Sequence, residues 1–363
     1  MDFTGLIERF GDGGASAIIG LLIGISFGIF SQKSKFCLRA AAVEFGRGVF
    51  GTRLAVWLFV FSGAVVGTQL LIMLGVLNVS GARLLNMRAS LSGAIIGGVM
   101  FGCGMVLARG CAGRLLVLAG QGNLRSLLTG LVFAITAQAS LVGILSPLRE
   151  RIAGLWTFEG ANLDALSLLG LPPITGLLVA LIWLMAAIYF GAKSGIPLWG
   201  WAGGLGVGLT VMCGWLLTYW LAQQAFDPQP VKSMTFTGPS ARSLMLFLSP
   251  PGHPFDFDTG LVPGVLVGSF LAAFASRELK LEGFQGGQSM RRYMLGAVLM
   301  GFGGMLAGGC SVASVSGSAV FSTTAWVTLF AIWAGATAMD WAVDYQAQAS
   351  VVDVTADASK AAV

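Results

Sequence analysis

Apolar residues run along this chain in long blocks, with polar residues gathered in the gaps between them. Nine such blocks lie near residues 15–30, 54–77, 91–108, 127–145, 174–190, 198–222, 261–275, 294–307 and 325–339. A helix needs about 20 apolar residues to cross a bilayer, and the longer blocks reach that length. Four shorter apolar stretches fall between them, at residues 37–45, 111–119, 240–248 and 310–321. At roughly 9–12 residues they are too short to span and suit re-entrant half-helices. The pattern predicts an all-α integral membrane fold of about nine transmembrane helices plus four short re-entrant helices.

The pattern also repeats. Residues 97–111 read GGVMFGCGMVLARGC, and residues 296–310 read GAVLMGFGGMLAGGC. The two segments match at eight positions in one register, ending on Gly110/Gly309 and Cys111/Cys310. The same offset of 199 residues lays Lys33-Ser34 over Lys232-Ser233. Self-similarity at two separated places predicts two copies of one unit. Five expected crossings separate the first span of one copy from the first span of the other. An odd number inverts the second copy, an arrangement in which transporters hold their site near the midplane. The expected organisation is a lead-in at 1–14, a first membrane repeat at 15–148, and a polar linker with a connecting span at 149–197. A second repeat at 198–344 and a disordered tail at 345–363 complete it.

Composition fixes the solvent. Hydrophobic residues make up 56% of the chain and charged residues 10%, where a soluble domain carries about 25% charged residues. Too few charges are available to cover a water-facing surface, so lipid is the expected partner of the outer face. The net charge of +5 suits basic loops. No basic run with interleaved aromatics points to nucleic acid. The start of the chain carries no pattern of a cleaved signal peptide.

The chain has 53 glycines. Most fit close helix packing; Gly200, Gly204 and Gly208 share one helix face, and so do Gly260, Gly264 and Gly268. Those at the ends of apolar runs need another reason. Arg109-Gly110-Cys111-Ala112-Gly113 breaks the first copy, and Gly308-Gly309-Cys310-Ser311 breaks the second. Irregular backbone at membrane depth is tolerated where protein or a water-filled path meets it. A short helix starting there aims free N–H groups and its positive dipole end at that path, which favours an anion.

Of the five cysteines, none forms a CxxC pair. Cys103 and Cys111 are eight residues apart, roughly 12 Å along a helix and too far for a disulfide. Cys103 and Cys213 read as small buried hydrophobes. Cys111 and Cys310, at repeated breaks, read as functional. A thiol is a weak S–H donor with a polarizable sulfur, able to touch a soft sulfur-containing solute without the grip of an arginine. Cys37 stands in a similar place among Lys33, Lys35 and Arg39. In the second copy that place carries hydroxyls, Thr235 and Thr237. The candidate solute path is therefore Cys37, Cys111, Cys310, Gly110, Gly309, Ser311, Thr235 and Thr237. His253 is the single histidine and has no partner cluster, so no metal is expected. No nucleotide loop and no nucleophile-base pair are present, and no cofactor is expected.

At these residues the chain resembles the YeeE/YedE family of bacterial inner-membrane sulfur transporters. The matching pieces are Lys35-Phe36-Cys37-Leu38, residues 107–111 with Gly120-Gln121-Gly122 after them, residues 269–278 (SFLAAFASRE), and residues 296–311 (GAVLMGFGGMLAGGCS). The resemblance implies thiosulfate uptake as a sulfur source. It implies an hourglass of inverted repeats whose short helices meet at the centre. Three central cysteines, here Cys37, Cys111 and Cys310, would pass the solute along by transient S–H···S contacts. Some members act with a small TusA-like sulfur carrier protein, and sister members are linked to selenium or other sulfur species. This chain departs from the pattern at Arg109, where the motif usually has Gly, and at Ala112-Gly113-Arg114, which adds charge near the first break. A membrane thiol-redox enzyme is the alternative, and it requires cysteines close enough to pair.

Overall fold

The structure is a computed structural model that describes residues 3–79, 81–86, 89–158, 164–172, 174–227, 229–250, 252, 254–283 and 287–345. His253 and the tail from residue 346 lie outside the described residues. In chain order the helices are α1 (Thr4–Ser34), α2 (Leu38–Gly46), α3 (Thr52–Met73) and a single turn α4 (Arg83–Asn86). A π-helical turn, Gly93–Gly97, leads into α5 (Gly98–Leu107), followed by α6 (Ala112–Gly120) and α7 (Leu124–Val142). The connection between halves holds α8 (Ser146–Ala153), α9 (Ala165–Leu168) and the long α10 (Ile174–Ser194). The remainder is α11 (Leu198–Gln224), α12 (Thr237–Leu248), α13 (Phe257–Ala275), α14 (Gly287–Leu306), α15 (Ser311–Ala319) and α16 (Thr323–Met339). The one sheet among the described residues is a two-residue pairing of Ala89–Ser90 with Thr157–Phe158.

Nine helical stretches among the described residues are long and apolar enough to cross a membrane. The protein is a multi-pass membrane protein of almost pure helix. Three of these stretches, Thr4–Gly46, Gly93–Gly120 and Ser289–Ala319, contain a long helix and the short helix after it. The first span begins earlier than hydropathy suggests. Residues 4–14 are already helical, with a kink at Gly11 (φ 70°), and the Phe3 amide donates to Gln224 Oε1 at 2.7 Å. Tertiary contact with α11 thus extends the helix through a polar segment that hydropathy leaves out.

Two pairs of helices at matching places in the chain, α5 with α14 and α1 with α11, run in opposite directions. The short helices α2 and α12 start 199 residues apart, and so do α6 and α15, and α7 and α16. Between α5 and α14, a Cβ on Gly97 would lie 2.5 Å from the Gly303 carbonyl, and one on Gly104 would lie 2.7 Å from the Gly296 carbonyl. The two helices are therefore antiparallel, and each glycine meets the counterpart of the other. Helices α1 and α11 are antiparallel too: Phe3 meets Gln224 at one end, and Ser34 meets Gly203 at the other.

Glycine sets how close the helices come. Helices α1 and α13 run parallel, with Gly20, Gly24 and Gly28 facing Gly260, Gly264 and Gly268. Added Cβ atoms along this seam would fall inside contact distance of the partner backbone, 2.4 Å from the Leu21 carbonyl at Gly264. Small residues let membrane helices pack backbone to backbone, where lipid offers no hydrophobic drive for association. At one end of the bundle Arg47 holds Asp340 through two hydrogen bonds, Nε to Oδ2 at 2.7 Å and Nη2 to Oδ1 at 2.9 Å, tying the end of α2 to the end of α16.

Candidate functional site

Three of the four short helices begin in the same way. A residue in the left-handed region ends the preceding turn, and a cysteine two positions later becomes the N-cap of the short helix. Lys35 (φ 52°) precedes Cys37, Arg109 (φ 56°) precedes Cys111, and Gly308 (φ 79°) precedes Cys310. The left-handed residue stops the helix, and the extended cysteine turns the chain into a new one. All three cysteines have the extended backbone of an N-cap residue. The fourth short helix departs: α11 ends at Gln224, the described residues between it and Thr235 form no helix or strand, and Phe236 is the N-cap of α12.

Only glycine adopts the left-handed region without cost, and Arg109 stands where the second half has Gly308. The Arg109 side chain is exposed. Arg109→Gly is expected to raise stability by roughly 0.5–1 kcal/mol, because strain of about 1–3 kcal/mol is relieved against the extra chain entropy of glycine. A rise in the melting temperature of the detergent-solubilised protein would check this, and a fall would contradict it.

The breaks meet inside the protein. Cys111 and Cys310 are buried and Cys37 is half-buried; all five cysteines are free thiols. The Cys111 side chain lies beside Ser311 and the Arg114 backbone, with Cys37 and Cys310 both near enough to act on it electrostatically. Cys310 Sγ accepts the Phe236 backbone N–H at 3.3 Å and stands 3.9 Å from Thr235 Oγ1. The Phe236 ring is buried against Phe27, with ring centroids 5.0 Å apart, and both rings face Gly113, the second residue of α6. A Cβ there would lie 3.1 Å from the Phe236 ring, tighter than ordinary van der Waals contact. Cys310, Thr235 and Phe236 thus meet, and Cys111 stands beside Ser311 within electrostatic reach of Cys37 and Cys310. Phe236 sits 199 positions after Cys37, and the offset alone could have singled it out.

A cavity of about 550 Å³ opens beside Cys310 and is lined by Thr235, Thr237, Gly308, Gly309, Lys232 and Arg242 among others. Thr237 is buried, and its hydroxyl finds no hydrogen-bond partner. Two cations at the cavity wall face two carboxylates: Lys232 Nζ lies 2.8 Å from Asp258, and Arg242 engages Asp256 directly and Asp258 at 3.4 Å. Cys37, Cys111 and Gly110 do not line this cavity. On their side the polar groups form a chain instead: Gln121 donates to Gln32, Gln32 donates to Glu278 at 2.9 Å, and Lys33 reaches the Ser276 hydroxyl. No cluster of His, Cys, Asp or Glu that could hold a metal occurs among the described residues.

A family model described as Sulphur transport matches residues 33–338. Two curated relatives carry the name thiosulfate transporter TsuA. The one from Escherichia coli (strain K12) is 26% identical over 363 residues, covering 94% of this chain and 98% of the relative. The one from Spirochaeta thermophila is 26% identical over 345 residues, covering 89% of this chain and 97% of the relative.

Proposed function

The chain belongs to the sulphur-transport family, and from that premise we propose that it carries thiosulfate, or a closely related sulfur-containing anion, across the bacterial inner membrane. The observation that carries this reading is the meeting of the Cys111 and Cys310 breaks, each thiol standing at the start of a short helix. The relatives named as thiosulfate transporters match nearly the whole chain, which supports the choice of solute.

The path runs through Cys37, Cys111 and Cys310, with Gly110, Gly309, Ser311, Thr235 and Thr237 along it. The solute enters a vestibule such as the cavity beside Cys310. There the helix starts at the breaks supply unpaired backbone N–H groups and partial positive charge. Each thiol donates a weak S–H to the terminal sulfur of the solute. Weak, repeated contacts let the anion enter and leave, which conduction requires. A thiolate would repel the anion, so transport uses the protonated thiols. No bond of the solute is made or broken, and the protein acts as a transporter rather than an enzyme.

Two inverted repeats, at residues 15–148 and 198–344, frame this path, with residues 149–197 joining them. The antiparallel course of α1 against α11 and of α5 against α14 supports that reading. The lipid bilayer surrounds the outer face, and a small TusA-like sulfur carrier protein receives the solute on the far side. Purified protein in proteoliposomes is expected to take up radiolabelled thiosulfate well above protein-free vesicles. Equal uptake in the two would overturn the proposal.

A further inference from the structure

One strongly charged group near the breaks has no role in the path described above. Arg114 sits in the first turn of α6, three residues after the N-cap Cys111. Side chains in a helix lean toward its N-terminus, and the Arg114 stem lies back over Gly110, with Cβ and Cγ each 3.7 Å from where a Gly110 side chain would begin. The head group is thereby directed at the break rather than away from it. Its electrostatic neighbours are Cys37, Cys111, Arg53 and Glu278. The Nη1 atom is buried and has no hydrogen-bond partner. The residue as a whole is half-buried, but a buried guanidinium N–H left unmade costs free energy and calls for an acceptor.

We propose that Arg114, together with the backbone N–H groups of Ala112 and Gly113 at the start of α6, forms an anion subsite on the Cys37–Cys111 side of the path that holds the oxyanion end of a tetrahedral sulfur dianion. A guanidinium presents a planar fork that matches two oxygens of such a group. The neighbouring thiols then face the sulfur end. The second half has Ala313 at the equivalent place, 199 residues on, so the two ends of the path differ: one side relies on thiol and hydroxyl contacts, the other adds a fixed positive charge. Arg114 is on this account a specificity-determining residue, favouring dianions over neutral sulfur species. The choice of thiosulfate rests on the function proposed above; the anion subsite does not.

The test separates the two. Binding of thiosulfate and of sulfate to the purified protein is measured by calorimetry for the wild type, Arg114→Gln and Arg114→Lys, beside uptake in proteoliposomes. Arg114→Gln is expected to weaken both anions by about tenfold or more, with Arg114→Lys between it and wild type. In uptake the KM for thiosulfate rises while the maximal rate changes less. Wild-type affinity in a folded Arg114→Gln protein would overturn the subsite. Arg114-dependent binding without any wild-type uptake would leave the subsite standing and overturn the transport reading. If Arg114→Gln does not fold, alkylation of Cys37 in the wild type decides: sulfate and thiosulfate are expected to slow it, and an unchanged rate would overturn the subsite.

Discussion

Replacing Cys310 by alanine is expected to reduce thiosulfate uptake by about tenfold or more, a loss equivalent to about 1.4 kcal/mol at the transport barrier, while the protein remains folded. Cys310 is fully buried at the start of α15, and its sulfur accepts the Phe236 backbone N–H. Alanine fills the same backbone position but leaves that amide without its partner, at a cost of about 1–3 kcal/mol. That cost is small against the packing of a bundle this size, so the purified variant should still migrate as a single species. What disappears is the polarizable sulfur at the point where the two breaks meet. Cys111→Ala should behave in the same way, because Cys111 stands at the matching helix start. Cys213→Ala serves as the control, since Cys213 lies inside α11, is no N-cap of a short helix, does not line the cavity and has no other thiol acting on it. Full uptake in both Cys310→Ala and Cys111→Ala would remove the thiols from the path.

The second large effect concerns the fold. Gly264→Val is expected to destabilise the protein by about 3 kcal/mol or more, the upper range for overpacking a tight core. A Cβ at Gly264 would lie 2.4 Å from the Leu21 carbonyl oxygen and 3.0 Å from the Gly24 Cα. Both are backbone atoms of a long helix and cannot turn aside as a side chain can. Helices α1 and α13 would have to separate along the seam from Gly20 to Gly28, and the break that follows α1 at Lys35 would move with them. Gly130→Val is the comparison: it lies in α7 with nothing within 4 Å of its added Cβ. Size-exclusion profiles and melting curves in detergent should show Gly264→Val aggregated or strongly destabilised and Gly130→Val close to wild type. A well-folded Gly264→Val protein would mean that the seam is looser than these distances require.

Much of the architecture was legible in the order of residues. Each of the nine apolar blocks overlaps one of the nine helical stretches able to cross a membrane; six lie wholly inside, while 54–77, 91–108 and 127–145 overrun Thr52–Met73, Gly93–Gly120 and Leu124–Val142 by two to four residues. The short apolar stretches at residues 37–45, 111–119 and 310–321 correspond to α2, α6 and α15, and the one at 240–248 lies within α12. The glycine faces were legible as well, since Gly260, Gly264 and Gly268 do lie along one helix contact. Boundaries were less legible. Hydropathy starts the first span at residue 15, whereas α1 begins at Thr4. It reads residues 149–170 as a polar linker, where the chain forms parts of α8 and α9 and pairs Thr157–Phe158 with Ala89–Ser90.

By itself the sequence determined the solvent, the number of apolar helices, the offset between the halves and the three cysteine-bearing breaks. These follow from local composition and spacing, because lipid demands apolar surface and internally satisfied backbone along every span. Only the tertiary structure decided which buried atoms meet. The Phe236 amide reaches a sulfur 74 residues further on, Arg114 turns inward while Arg109 is exposed, and Thr235 and Thr237 come to line the cavity beside Cys310. Hydropathy treats such atoms alike, since it registers removal from water and not direction. Their directions follow from the angles and distances at which glycine lets the helices cross.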